Sequence, residues 1–203
     1  MRLIVARHGE TPYNAQGRFT GQSDIPLSTL GEQQAEALAE RLSAVRFDVI
    51  VSSDLQRARA TAQAIARRHG LPVEEDTDLR EIAFGAWEGA TYAEALARHV
   101  AEVQRWEIDP TIHAPPGGET VTQLHERVTR ALERWRGRYP RGTVLWAVHG
   151  GVIEVLLCHL LGVELQKRWE FRHDNASITE VDLSCKGVTV VRMNETSHLC
   201  DSS

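Results

Sequence analysis

Two histidines of this 203-residue chain stand where apolar segments end, and each is followed directly by glycine. His8 comes after the apolar residues 3–6 and one arginine, and His149 comes after the apolar residues 144–148. Open α/β sheets bind ligands at the carboxyl ends of their strands. A histidine in that position can be a nucleophile, a general base, a metal ligand or a buried packing residue. The setting that the two histidines share favours a chemical role over packing.

The charges beside these histidines favour a phosphate over a metal cation. Arg7 precedes His8, and Arg57 lies in the first turn of the helix expected after the second strand. Two guanidinium groups that converge on one sheet edge repel a cation, hold a phosphate by charge-assisted hydrogen bonds and disfavour protonation of a nearby imidazole. A neutral imidazole has a lone pair that can attack phosphorus. The backbone amides around Gly9 and Gly150, at turns leading toward helices, would add further donors.

His149 and Glu81 complete a set of groups for phosphoryl transfer. His149 would donate a hydrogen bond as negative charge spreads over the phosphoryl oxygens. The leaving oxygen needs a proton, and a carboxyl group beside a phosphate dianion and apolar neighbours can supply one. Glu81, within residues 79–82, is the candidate, and Glu88 is an alternative acid nearby. After transfer, the same carboxylate could deprotonate the water that hydrolyses a phosphohistidine.

Five motif blocks in chain order resemble those of the histidine phosphatase superfamily, the phosphoglycerate-mutase-like group. The blocks are Arg7–Thr11 with Asn14; Gly21–Ser28; Ser52–Ala58 with Thr61; Leu79–Ile82 with Gly85–Gly89; and Gly117–Thr120 with Val148–Gly151. The resemblance covers nearly the whole chain and implies a three-layer α/β/α sandwich with a mostly parallel central sheet. It also implies catalysis without a metal, and we expect no cofactor.

The resemblance implies a role for each residue that matches a motif. His8 is expected to be the phosphorylated nucleophile and Glu81 the proton donor. The expected phosphate ligands are Arg7, Asn14, Arg57, His149 and the backbone at Gly150. Further contacts with the rest of the substrate are expected from Gly21, Gln22, Phe84, Trp87 and His198.

The sequence favours a phosphatase over a mutase. Phosphoglycerate mutases of this type carry a long insertion with basic residues for the substrate carboxylate, whereas the corresponding stretch here, Thr91 to Pro116, is short. Its only arginines, Arg98 and Arg105, have the spacing of helix surface charges. A short cap also protects a phosphoenzyme poorly from water. A cofactor-dependent phosphoglycerate mutase and a non-catalytic phospho-ligand-binding module remain alternatives, and the two arginines at the sheet edge disfavour a metal-dependent hydrolase.

The physiological substrate stays open at this level. Metal-independent phosphoserine phosphatases tend to carry a histidine where Phe84 stands, which counts against phosphoserine. Related members act on α-ribazole phosphate and on phosphorylated sugars, so we expect a small-molecule phosphate monoester without a more exact assignment.

Bulk composition fits one domain over residues 1–203, with a small cap at about 84–116. A net charge of −5 argues against general nucleic-acid binding, which depends on a basic face. No segment approaches the roughly 20 apolar residues of a membrane helix, and the apolar stretch after Met1 is too short for a signal peptide. Three cysteines without a C-x-x-C pair fit a reducing compartment. We therefore expect a cytoplasmic protein without a membrane or nucleic-acid partner, and a homodimer remains open.

Alternating strand and helix signals predict the secondary structure in outline. Strands are predicted at 3–8, 47–51 and 143–148, and a terminal hairpin at 177–183 and 188–193.

Capping patterns predict where several helices begin. Ser53–Gln56 and Thr91–Glu94 both match the capping box, and the second box is expected to open a helix that runs to about Val103. A long amphipathic helix is predicted from about Thr120 to Arg138, and an apolar helix from Val152 to Leu161.

Overall fold

The computed structural model describes residues 1–199 of the chain. The last four residues lie outside the described part, including Cys200 and the end of the domain predicted over 1–203.

A mixed six-stranded sheet forms the centre of the fold. Its strands are β1 (Arg2–Arg7), β2 (Val49–Ser52), β3 (Val73–Glu75), β4 (Thr143–Val148), β5 (Ile178–Ser184) and β6 (Gly187–Glu195). The strand order is β3-β2-β4-β1-β5-β6. The first four strands in that order run parallel, and β5 and β6 are antiparallel additions at one edge. The predicted mostly parallel sheet is therefore confirmed.

Helices cover both faces of the sheet. They are α1 (Pro12–Ala15), α2 (Thr29–Leu42), α3 (Gln56–His69), α4 (Tyr92–Arg98), α5 (Val100–Ile108), α6 (Val121–Arg138) and α7 (Gly150–Leu161). Side chains alternate between the two faces along each strand. Leu3, Val5 and Trp146 pack with α6 and α7, whereas Ile4 and Leu145 pack with α2 and α3. Two apolar layers thus enclose the sheet, which confirms the α/β/α sandwich.

The pairing of β1 with β4 places the two conspicuous histidines side by side. The two strands are parallel neighbours in register, with Arg7 opposite Val148. The residue after each strand is a histidine, and the backbone N–H of His8 donates to the carbonyl of Val148 over 3.0 Å. The sheet edge therefore presents His8 and His149 next to each other.

The segment at 84–116, predicted as a small cap, contains α4 and α5 and has an apolar cluster of its own. Trp87 and Trp106 lie at its centre, with ring centroids 5.6 Å apart in an edge-to-face arrangement. The helix predicted from Thr91 to about Val103 is in fact two helices, because the chain breaks at His99, whose backbone is non-helical.

The capping box predicted at Ser53–Gln56 is wrong. The helix begins at Gln56 with Leu55 as its N-cap, and the Leu55 side chain makes no capping hydrogen bond. The Ser53 hydroxyl instead accepts from the N–H of Leu55 over 3.3 Å, within the turn that precedes the helix. The box at Thr91–Glu94 does form.

Within residues 1–199, no helix combines the length and the apolar character that crossing a bilayer requires.

Candidate active site

The His8 side chain is held in one tautomer, and the lone pair of its Nε2 accepts a hydrogen bond from Nε of Arg57 over 3.3 Å. Nδ1 lies 2.7 Å from the carbonyl oxygen of Gly9, and a carbonyl can only accept, so Nδ1 carries the proton. Nε2 therefore keeps its lone pair. Burial, together with the charges of Arg57 and Arg7, lowers the pKa of His8 well below its usual range. The imidazole is consequently neutral and nucleophilic at neutral pH.

Arg57 lies fully buried against the nucleophilic nitrogen. Its Nε is 3.3 Å from Nε2 of His8. Its two terminal nitrogens donate to the carbonyls of Ser23, over 2.9 Å, and Gly21, over 2.6 Å. Burial lowers the pKa of Arg57 to about 10, so the guanidinium remains charged at neutral pH. These contacts fix the plane of the guanidinium beside the point of attack.

Position 21, whose carbonyl accepts from Arg57, requires glycine. Its φ is +53°, and a Cβ atom there would lie 2.2 Å from Oε1 of Glu88. A side chain would therefore collide with the Glu88 carboxylate, which is held by the N–H groups of Gln22 and Phe84.

Arg7 and His149 carry buried nitrogens without a hydrogen-bond partner in the described residues. Nη1 of Arg7 donates to the carbonyl of His173 over 2.8 Å, while its Nε has no partner. His149 is fully buried, its ring centroid lies 5.1 Å from that of His8, and neither ring nitrogen is paired. Burial, Arg57 and His8 lower the pKa of His149 well below its usual range, which leaves one N–H to donate. Unpaired buried donors of this kind fit a bound anion.

Asn14 lies with Arg7, His8 and Arg57 at the same end of the sheet, and its amide oxygen is engaged within the protein. Its Oδ1 accepts from the backbone N–H of Thr11 over 3.1 Å and lies 3.0 Å from the Thr11 hydroxyl. The hydroxyl in turn accepts from the N–H of Asn14 and caps α1. Because the oxygen is occupied, the Nδ2 group is the part of Asn14 available to a ligand.

Two adjoining cavities meet at this edge of the sheet, each with a volume of about 170 Å³. We call the first the histidine cavity; its walls include Arg7, His8, Asn14, Arg57, Glu81 and Phe84. We call the second the tryptophan cavity; its walls include Trp106, Trp169, Leu124, Glu154, Arg168 and His173. Arg7, Glu81 and Phe84 line both. A phosphate bound near His8 would therefore leave the rest of its molecule facing the tryptophan cavity.

Glu81 stands at the boundary between the two cavities and is fixed by backbone donors. Its Oε1 accepts from the N–H groups of Ile82, over 2.9 Å, and Gly151, over 3.1 Å. A Cβ atom at Gly151 would lie 2.5 Å from Oε1, so glycine is needed for this approach. Glu88, the alternative acid, lines neither cavity; it accepts from Gln22, Ser23 and Phe84 and ties the loop to the cap. The geometry therefore favours Glu81 as the acid.

Arg127 holds the backbone that carries Glu81. Its terminal nitrogens donate to the carbonyls of Asp78, Arg80 and Glu81, and its Nε donates to Oε1 of Glu119 over 2.7 Å. The Arg127 side chain is only 10% exposed. The buried Arg127 side chain thus fixes the position of the Glu81 backbone at the boundary between the two cavities.

Replacing Arg127 with methionine should destabilise the fold by about 3 kcal/mol or more, because the Glu119 carboxylate and three carbonyls would lose their partner. Urea unfolding measures this change. The exposed Arg136→Met on the same helix is the control and should change the free energy of unfolding by less than about 0.5 kcal/mol. Equal effects of the two substitutions would contradict the positioning role.

Some residues expected to contact substrate lie elsewhere. Trp87 has no exposed surface and lines neither cavity, because it fills the core of the cap. The His198 side chain is 4% exposed, has its Nε2 3.0 Å from the carbonyl of Ala176 and lines neither cavity. The side-chain amide of Gln22 donates to the backbone carbonyl of Glu81 over 3.1 Å. Phe84 and Gly150 do line the tryptophan cavity, and Gly21 lines the histidine cavity.

Three residues of the tryptophan cavity are missed by sequence reasoning. His173 lies against Gly150, where a Cβ atom would come within 2.5 Å of its Nε2. Glu154 and Arg168 are buried there in contact with each other, with 3.2 Å between Oε2 and Nε. Only Glu154 leaves a signal in the sequence, as a carboxylate one turn after Gly150 within an apolar helix.

The family model of the histidine phosphatase superfamily, branch 1, matches residues 3–196. The chain belongs to the histidine phosphatase superfamily. It is 35% identical over 199 residues to phosphoserine phosphatase 1 of Hydrogenobacter thermophilus, covering 98% of this chain and 94% of that protein. It is 41% identical over 170 residues to the glucosyl-3-phosphoglycerate phosphatase of Mycolicibacterium vanbaalenii, covering 80% of this chain and 75% of that one.

A solved structure shares the same architecture. The α-ribazole phosphatase from Shigella flexneri superposes with a TM-score of 0.90 at 31% identity, covering 96% of each chain. With this family and these relatives, the protein is a phosphoric monoester hydrolase.

Proposed function

We propose that this histidine phosphatase hydrolyses small phosphorylated metabolites, without a metal ion, through a covalent phosphohistidine on His8. The observation that carries the proposal is the neutral His8 ring. Its Nδ1 proton is bound to the Gly9 carbonyl, and its Nε2 lies 3.3 Å from the Arg57 guanidinium. A buried nucleophile beside a fixed cation is the arrangement that in-line transfer of a phosphoryl group requires.

In the first step, the Nε2 lone pair of His8 attacks phosphorus as the bond from phosphorus to the leaving oxygen breaks. A protonated Glu81 gives its proton to that oxygen, and the alcohol departs. In the second step, the Glu81 carboxylate takes a proton from water, the resulting hydroxide attacks phosphorus, and the nitrogen–phosphorus bond breaks. Inorganic phosphate leaves, and His8 and the protonated Glu81 are restored.

Cationic and neutral donors take the place that a metal would occupy in a metal-dependent hydrolase. Arg7 and Arg57 supply positive charge, while Asn14 and His149 supply N–H groups for the phosphoryl oxygens. Within residues 1–199, His, Cys, Asp and Glu side chains form no group of three or more able to hold a metal ion.

The size of the site supports a small substrate. Sites for drug-sized ligands are about 300–1,000 Å³, and the two adjoining cavities, of about 170 Å³ each, together reach only the lower end of that range. Relatives are named for phosphoserine and glucosyl-3-phosphoglycerate, which are phosphate monoesters of small organic molecules.

Hydrolysis of p-nitrophenyl phosphate in EDTA tests the metal-free mechanism. We expect full activity in the chelator and no gain on adding Mg²⁺, Mn²⁺ or Zn²⁺, because no step in the proposed mechanism uses a cation. Activity that appears only after a divalent metal is added would overturn the mechanism.

Product analysis with 3-phosphoglycerate separates the proposal from a cofactor-dependent mutase. We expect release of inorganic phosphate and no 2-phosphoglycerate. Conversion to the 2-isomer without phosphate release would assign the protein to the mutases instead.

A further inference from the structure

The tryptophan cavity contains a buried arginine that the proposed chemistry does not use. Arg168 is 3% exposed, and its Cζ lies 3.8 Å from the centroid of the Trp169 ring. Its Nε is 3.2 Å from Oε2 of Glu154, and its Nη1 has no hydrogen-bond partner within residues 1–199. A buried guanidinium with an unpaired N–H is costly unless a ligand completes it.

The carboxylate beside Arg168 does not neutralise it fully. Burial raises the pKa of Glu154 to about 8, which outweighs the opposing effect of Arg168, so at neutral pH this group is largely protonated. His173 has its Nε2 3.4 Å from Oε1 of Glu154, and burial and the charge of Arg7 lower the pKa of His173, which is therefore neutral. The positive charge of Arg168 is left facing the cavity.

The position of Arg168 relative to the phosphate site fits a substrate with two anionic ends. The histidine cavity takes the phosphate, and the tryptophan cavity continues from it past Arg7 and Glu81. The apolar walls at Ile82, Leu124 and Trp106 suit a short carbon skeleton between the two ends. The planar fork of arginine matches a carboxylate, which it binds by two parallel hydrogen bonds.

We propose that Arg168 determines specificity by binding a carboxylate on the leaving group, so that the preferred substrates are phosphorylated small organic acids. This inference rests on the proposed phosphatase function and refines it. Arg168 touches the part of the substrate remote from the reaction, and its contribution is binding energy rather than a step in the transfer.

Matched substrate pairs test the inference on the unaltered enzyme. Glycerol 3-phosphate has a hydroxymethyl group where 3-phosphoglycerate has its carboxylate, and phosphoethanolamine has a hydrogen where phosphoserine has its carboxylate. We expect kcat/KM to favour the carboxylate member of each pair by at least about tenfold, the usual effect of a charged hydrogen-bonded contact. Equal kcat/KM values within the pairs would overturn the inference.

Variants then assign the preference to Arg168. Arg168→Gln should reduce the preference to less than about threefold, with a much smaller loss on p-nitrophenyl phosphate, and Arg168→Lys should keep part of it. Lys167→Gln is the matched control. It removes the same charge from the neighbouring residue, and the Lys167 side chain is 56% exposed. Its preference should equal that of the wild type. A uniform loss on all substrates in Arg168→Gln would indicate a structural role only.

Binding separates this inference from the phosphatase proposal. Calorimetry on the His8→Ala variant measures the Kd of each pair member without turnover. Tighter binding of the carboxylate members would support the Arg168 site even if hydrolysis failed. If the wild-type enzyme did not hydrolyse p-nitrophenyl phosphate, only the proposed function would be contradicted. Equal Kd values for the two members of each pair would contradict only the Arg168 site.

Discussion

His8→Ala should lower kcat for p-nitrophenyl phosphate by about 10⁴-fold or more, because the proposed mechanism passes through a phosphoryl group on His8. His149 lies beside His8, but of the two only His8 lines the histidine cavity, so His149 is not placed to replace the nucleophile. Steady-state assays at substrate saturation measure the loss, and circular dichroism confirms that the variant is folded.

The matched control for His8→Ala is His159→Ala. His159 lies on the exposed face of α7 beside His125, with 3.2 Å between their ring nitrogens, and takes no part in the site. Its removal should leave kcat within twofold of wild type, as expected for about 0.4 kcal/mol or less. Substantial turnover in His8→Ala would remove His8 from the nucleophile's role.

Glu81→Gln should slow the reaction of substrates with poor leaving groups more than that of substrates with good leaving groups. An alkyl phosphate needs a proton on the departing oxygen, so we expect kcat to fall by about 10²–10⁴-fold. Nitrophenolate departs without a proton, so the loss on p-nitrophenyl phosphate should be less than about tenfold for the first step. Pre-steady-state release of nitrophenol isolates that step from hydrolysis of the intermediate, in which Glu81 acts as a base.

The control for Glu81→Gln removes an exposed carboxylate instead. Glu126→Gln, on the surface of α6, should change neither substrate. Equal losses on alkyl and nitrophenyl phosphates in Glu81→Gln would contradict the proton-donor role and point to an effect on binding alone.

The central pair of histidines was predictable because it depends on local rules. Apolar runs end at Arg7 and at Val148, and parallel strands bring their carboxyl ends to one edge of a sheet. Because β1 pairs directly with β4, His8 and His149 are neighbours at that edge.

The walls of the tryptophan cavity were not predictable, because tertiary packing rather than periodicity places them. Arg168 lies in a short 3₁₀ segment, Leu165–Glu170, with no pattern that assigns it to either the surface or the interior. Trp87 is the opposite case. It was expected to contact the substrate, but it fills the core of the cap, although it is close in sequence to Phe84. The short helical break at His99 likewise has no sequence signal.

The capping box at Ser53 failed for a physical reason. Ser53 and Gln56 have the required spacing, but Leu55 keeps an extended backbone and the helix begins one residue after it. The early part of α3 is instead fixed by the loop at residues 21–24: Asp24 accepts from the N–H of Gln56 over 2.7 Å, and the loop carbonyls accept from Arg57. A contact remote in sequence thus replaced the local cap.

Trapping the phosphoenzyme tests the account most directly. Enzyme mixed with excess substrate and quenched in alkali should carry one phosphoryl group, stable to base and labile to acid, on Nε2 of His8, because Nδ1 is bound to the Gly9 carbonyl. ³¹P NMR and peptide mass spectrometry locate the modified atom. Turnover at the wild-type rate with no phosphorylated histidine, or with phosphate on another residue, would contradict the covalent mechanism.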